Sequence, residues 1–258
     1  MELGPDAETE TFLAWLPSGR HGLATTRLNH ALKRFASDFD VNGALGMYRM
    51  HLLGTEQWRR LLGPARIARC LDVGAGSGDV TACLAPLCGA VHATEVSRAM
   101  AWRLRRRGFP CSRVDVAAAG VRAGEWDLVT CLNVLDRCAR PRALLEALRR
   151  ALGAEGRLVV SLVLPYDPFY FDGARTPDPE ERLGCTARSW EAAAGELLAG
   201  ELPRFGLGVD VFTRTPYLSV GDSARAHYVL DAVVAVCRRV TAEREGAPRR
   251  TPDARDPG

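Results

Sequence analysis

The pattern of apolar and polar positions divides the chain into two parts. Residues 11–62 read as helical. Leu23, Leu28, Ala31, Leu32 and Phe35 recur at helical spacing, and Trp58, Leu61 and Leu62 do so again behind Thr55-Glu56-Gln57. Asp40-Val41-Asn42-Gly43, between these runs, has the composition of a turn. From residue 69 the pattern changes. Residues 70–73 read as a strand, followed by a glycine-rich turn and a helix over 79–87. Strands at 91–94, 112–116 (weak), 126–132 and 156–164 then alternate with helices at 97–107 and 142–152. Such alternation predicts parallel βαβ units with right-handed crossovers.

Beyond Pro165 the pattern loosens. Residues 166–184, rich in Pro, Asp and Gly, read as a loop of a length that is usually functional. Residues 189–202 are helical, and 208–213 and 228–236 read as closing strands. The link 216–225 is too short for a helical crossover, so these two pair antiparallel. The expected architecture is a doubly wound α/β sheet of seven strands, Rossmann-like, with an antiparallel last strand. A helical segment (1–62) packs on the domain (63–240), and a disordered tail (241–258) follows.

At 258 residues, 47% hydrophobic and 25% charged, the chain has the material for a sizeable core, which excludes disordered and disulfide-dense classes. No apolar stretch approaches the roughly 20 residues of a membrane span, so no membrane partner is expected. The acidic start shows no signal peptide, and an intracellular, cytoplasmic setting is expected. A net charge of +3 is too small to argue for nucleic acid. Eight cysteines without a Cys-x-x-Cys pair read as reduced thiols, and five scattered histidines suggest no metal site. A monomer is favoured.

The sharpest motif is Asp72-Val73-Gly74-Ala75-Gly76-Ser77-Gly78, after a strand and before a helix. Glycines there let ligand atoms approach main-chain amides. Glu95, 17 residues after Gly78, closes the second strand, where a carboxylate can accept both ribose hydroxyls. A dinucleotide fingerprint requires Gly or Ala where Asp79 stands, a poor neighbour for a pyrophosphate. An acidic residue at the first strand end suits instead a cationic ligand with an amino group. S-adenosyl-L-methionine is the expected cofactor, with S-adenosyl-L-homocysteine as product, and the sheet is then of the class I methyltransferase kind. Asp115 either reaches the adenine amino group or serves a turn. Asn133 and Asp136 follow the fourth strand, where the crevice of a doubly wound sheet lies. They either face the transferable methyl or turn and cap the chain.

Several strings together resemble the DREV methyltransferase family: Asp72 to Gly78, Asn133-Val134-Leu135-Asp136-Arg137-Cys138, Leu162-Val163-Leu164-Pro165, Phe212-Thr213-Arg214-Thr215-Pro216-Tyr217-Leu218 and Tyr228-Val229-Leu230-Asp231. Upstream, Asp40 to Gly46 and Glu56 to Leu62 are similar to it as well, so the likeness runs from about residue 37 to 236. Characterised members of that family are protein-histidine N-pros-methyltransferases acting on His-x-His motifs with a small middle residue. The resemblance implies that Asp72, Gly74, Ala75, Gly76, Gly78 and Glu95 hold the cofactor, with Asn133 beside it. It implies that Asn133 and Asp136 hold the substrate imidazole and that Tyr228 walls the same pocket. Arg214 and Tyr217, on a loop near the crevice, are expected to shape a peptide groove or to be structural. His227 departs from the family, where a second tyrosine commonly precedes Tyr228.

Two rival functions remain: methylation of a small metabolite or biosynthetic peptide, and a binding module that keeps the fold without the activity. If the helical segment and the 166–184 loop close over the cofactor, the substrate is small. If they leave a groove, it is a peptide.

Overall fold

In the computed structural model, residues 1–19, 21–173, 175–221 and 223–240 are described. The tail expected to be disordered, 241–258, lies outside the described residues. The chain begins with helices α1 (Ala7–Gly19), α2 (Leu23–Leu32) and α3 (Asp38–Leu45), a short strand β1 (Met50–His51), and helix α4 (Thr55–Leu62). The expected turn at Asp40 to Gly43 is therefore a helix. Ser37 caps it by accepting the Asp40 N–H at 3.1 Å, and Gly46 ends it in the left-handed region at φ 67°. These two caps override the turn propensity of the residues between them. In α2 the buried positions are Thr26 and Asn29, while Leu23, Leu28 and Leu32 are exposed, as is Phe35 in the turn that follows.

The βα alternation then follows the sequence closely: β2 (Ile67–Val73), α5 (Asp79–Leu84), β3 (Cys88–Thr94), α6 (Arg98–Arg106), β4 (Cys111–Ser112), α7 (Val116–Ala119), β5 (Trp126–Leu132), α8 (Pro141–Ala151) and β6 (Leu152–Val163). The weak third strand is only two residues long. The Asp115 carboxylate accepts the N–H groups of Ala117 and Ala118 and winds the chain into α7 instead. After the 166–184 loop come α9 (Trp190–Gly195), a π-helical turn (Glu196–Glu201) and α10 (Leu202–Arg204), then β7 (Leu207–Val220) and β8 (His227–Arg239). β7 runs seven residues beyond its expected end at 213, so Arg214 and Tyr217 lie on a strand and not on a loop. Pro216 is tolerated because β1 covers only Leu218 and Ser219, leaving that stretch of β7 with edge character.

Among the described residues the sheet has eight strands in the order β1-β7-β8-β6-β5-β2-β3-β4. The expected seven gain β1, which pairs antiparallel with β7. β2 to β6 run parallel, and β8 lies antiparallel between β6 and β7. The class is the expected α/β methyltransferase sheet. One face buries Leu144, Leu145 and Leu148 of α8 with Leu197, and the other buries Trp58, Leu61 and Leu62 of α4 with Leu84 of α5. Helices on both faces explain why β5, β6 and β8 are nearly continuous apolar runs. All eight cysteines are free thiols. Among the described residues, no helix is long and apolar enough to cross a membrane.

Candidate active site

The site lies beyond the C-terminal ends of β2, β3 and β5. Between β2 and α5, Gly74, Gly76 and Gly78 have φ of 69°, 57° and 80°. A side chain at Gly74 would run into Val134 Cγ2 at 2.6 Å, whereas one at Gly76 would meet nothing within 4 Å. The first glycine therefore lets the loop pack on the end of β5, and the second leaves open space above it. The N–H groups of Gly74 and Ala75 donate to the Thr94 carbonyl, and that of Gly76 to Glu95 Oε2 at 2.9 Å.

Glu95 is buried and accepts Val96 and Ser97 N–H on Oε1. Burial pushes its carboxyl upward against the pull of these three amides. Asp72 is also buried, but its oxygens are engaged by the hydroxyls of Thr81 (2.6 Å) and Thr130 (2.7 Å). Burial again pushes the pKa up, opposed by the two hydroxyls. Asp72 thus ties β2 to β5 and to α5 beneath the loop. Asp115 stands apart, exposed, spending Oδ1 on the α7 cap with Oδ2 3.5 Å from Arg140.

Asn133 and Asp136 converge. Asn133 has φ 56°, uncommon for a non-glycine residue, and its buried Oδ1 and Nδ2 have no hydrogen-bond partner. Asp136 is buried, with Oδ2 2.8 Å from Arg137 Nη1 and Oδ1 without a partner. Burial raises its pKa, and the Arg137 charge partly offsets the rise. The buried hydroxyl of Tyr217 contacts Met50 Sδ beside these two residues. Its pKa is raised by burial first and by the Asp136 charge second. Buried polar atoms are almost always paired, so the free Asn133 amide and Asp136 Oδ1 are groups that could pair with a ligand.

Tyr228 shares the sheet face of Tyr217. The Tyr217 partner is Leu230, and alternation puts Tyr228 on the same side, edge-on to Tyr48 with ring centroids 6.3 Å apart. Arg214 projects from the other face. It binds Asp231 and Glu191 and lies 4.4 Å over the Trp190 ring, so it does not join the site residues.

Several contributors were not identified from sequence. Asp40 of α3 accepts the Ser97 hydroxyl at 2.6 Å beside Glu95, bringing the N-terminal segment to that carboxylate. Phe39, next to it, touches Phe171 of the 166–184 loop (5.3 Å, near perpendicular), and Phe171 packs on Phe169. Phe169 in turn donates its N–H to the Asp136 carbonyl and carries Arg137 over its ring at 3.9 Å. The helical segment and the loop therefore meet. Asp40 lay within the string that resembled the family, but local propensity assigned that string to a turn.

The DREV methyltransferase family matches residues 2–239 of the chain. The chain belongs to the DREV methyltransferase family. Its methyl donor is S-adenosylmethionine. The DREV chain is also similar to a ubiquinone biosynthesis O-methyltransferase of Xanthomonas oryzae pv. oryzae, 32% identical over 101 residues, covering 36% of this chain and 42% of that protein. The match thus spans less than half of that relative. Among solved structures, a SAM-dependent methyltransferase from Leishmania major aligns with a TM-score of 0.50 at 15% identity, covering 71% of each chain. The [4+2]-cyclase SpnF aligns at 0.50 with 16% identity, covering 73% of this chain and 81% of its own. These two likenesses show the fold alone, and a cyclase among them underlines that the fold does not set the reaction. The cofactor fits the DREV site through the open space over Gly76, the Glu95 carboxylate held only by main-chain amides, and the unpartnered Asn133 amide.

Proposed function

We propose that this DREV methyltransferase methylates a histidine imidazole nitrogen in His-x-His-type peptides or proteins. The observation that carries the reading is the nearness of an amide, Asn133, to a carboxylate oxygen, Asp136 Oδ1, both buried and without a hydrogen-bond partner. S-adenosylmethionine supplies a sulfonium-activated methyl and departs as S-adenosyl-L-homocysteine. An imidazole has a reference pKa near 6.5, so much of it is neutral at pH 7. The protein must then select the tautomer and the pose. Asp136 Oδ1 accepts the ring N–H, which leaves the lone pair of the other nitrogen free, and it stabilises the cation formed on methylation, as an aspartate orients the histidine of a hydrolase triad. The Asn133 amide fixes the ring plane. Holding that pose supplies roughly 7–11 kcal/mol of barrier lowering. Assignment of the N-pros nitrogen rests on the family resemblance.

A second reading is methylation of a small metabolite. It is favoured by the Phe39–Phe171 contact, which joins the helical segment to the loop, and by the relative named for ubiquinone biosynthesis. The test is labelled S-adenosylmethionine with a panel of His-x-His peptides, their single-alanine variants and small phenols and amines, read by mass spectrometry for wild type and Asp136→Asn. Transfer to one histidine, lost in the variant, is expected. Transfer only to small acceptors assigns the second reading. Cofactor binding without transfer to any acceptor leaves a binding module.

A further inference from the structure

Helix α2 is turned inside out. Ala24, Leu28, Ala31 and Leu32 fall within about 100° of arc on the helical wheel and all are exposed. Phe35, in the turn that follows, is 87% exposed. The inward side is polar: Thr26 accepts the Ser223 N–H at 3.3 Å, and Asn29 donates to Asn42 at 2.7 Å. In an amphipathic helix that serves only the core, the apolar side faces inward. The sequence around it has one sign of charge. From residue 11 to residue 37 there is no Asp or Glu, whereas Arg20, Arg27, Lys33 and Arg34 occur in that stretch, Lys33 being paired with Asp38 just beyond it. Arg27, His30 and Arg34 are exposed beside the apolar stripe.

We propose that α2 docks this protein onto an anionic lipid surface, its apolar stripe entering the headgroup boundary and its arginines meeting lipid phosphates. Leucine and phenylalanine on one side, with arginine along the margin, is the chemistry of a helix lying in the interface plane. No spanning segment is required. The stripe alone would suit any apolar partner. The absence of acidic residues over 27 positions, in a chain of nearly balanced charge, selects an anionic one. The inner side of α2 leads to the site, since Lys33, in the turn that follows the helix, lies 5.7 Å over the Tyr48 ring and Tyr48 packs on Tyr228. Docking would therefore lay the rim of the site along the membrane. The inference is independent of the histidine reading.

The experiment is co-sedimentation of the full chain with phosphatidylcholine vesicles, with and without phosphatidylglycerol, at low and high salt. Binding only to the anionic vesicles, weakened by salt, is expected. Arg27→Glu with Arg34→Glu should weaken it by about tenfold or more. Leu28→Ser with Phe35→Ser should abolish it with cofactor binding intact. The single change Phe35→Ser, at a site with no packing to lose, should weaken it even if the double variant misfolds. Failure of the wild type to bind, equal binding to neutral vesicles, or unchanged binding by the Phe35→Ser chain overturns the proposal. So does self-association of the wild type that Phe35→Ser abolishes, which gives the stripe to a second copy.

Discussion

Glu95 Oε2 accepts the Gly76 N–H at 2.9 Å, so the carboxylate that closes the second parallel strand grips the glycine loop from across the crevice. The same side chain holds the start of α6 through Val96 and Ser97, and Asp40 holds that start from the other side. Loop, strand end and N-terminal segment thus form one connected hydrogen-bonded rim.

Glu95→Gln should loosen the glycine loop and the start of α6 and, with them, weaken cofactor binding. An amide cannot present both oxygens to three N–H donors, and hydrogen bonds to a charged group contribute about 1.5–3 kcal/mol. Calorimetric titration with S-adenosyl-L-homocysteine should show affinity reduced by about tenfold or more. Unchanged affinity would remove Glu95 from the cofactor site.

Gly74→Ala places a Cβ 2.6 Å from Val134 Cγ2 at a φ of +69°. A loss of about 1–3 kcal/mol in denaturant unfolding is expected, together with weaker cofactor binding. Adding Val134→Ala relieves the collision but not the backbone strain, so only part of the loss should return.

Asp136→Asn should lower turnover by about 100-fold or more, with cofactor affinity retained. The same change should raise stability near neutral pH. Burial lifts the folded-state pKa of Asp136 above its unfolded value, so the folded state binds the proton more readily. Wild-type stability from this group falls as pH rises from about 3.9 through the folded pKa, and the penalty is full above it. Thermal melts should show the variant above wild type at pH 8, by about 2–4 °C per kcal/mol regained, and the gap closing in acid. A variant that melts lower at pH 8 would mean that the Arg137 pair outweighs burial.

Asp40→Asn should act in the opposite sense. Hydrogen bonds from Ser97 and Ser37 hold that carboxyl below its usual range despite desolvation. Its contribution is present above an unfolded pKa near 3.9 and lost as pH falls through the folded value. The variant should therefore be less stable than wild type at pH 7, with the difference shrinking in acid.

Phe171→Ala removes the contact between the loop and α3, worth about 0.5–1.5 kcal/mol. If that contact encloses a small acceptor, KM for it should rise several-fold, as read by initial rates. A histidine peptide that enters from outside should be methylated as well or better.

Much of this protein was determined by local pattern. The β2-loop-α5 unit, β5 from Trp126 to Leu132 and the apolar run of β6 follow from periodicity and glycine placement, because parallel strands buried on both faces have few other compositions open to them. The positions of Gly74, Gly76 and Glu95 were legible for the same reason, since each lies at a strand end that the pattern sets. Tertiary structure decided the rest. Asp40 to Gly43 form a helix because Ser37 and Gly46 cap it and Ser97 anchors it, a contact across 57 residues that no local window contains. Arg214 and Tyr217, three residues apart, went to opposite faces once β7 extended to Val220, and only strand register separates a clamp on α9 from a side chain beside Asn133 and Asp136. The outward apolar stripe of α2 belongs to the same class. Spacing shows that a helix has a greasy side, but which side meets the protein is set by the partners that Thr26 and Asn29 find in the fold.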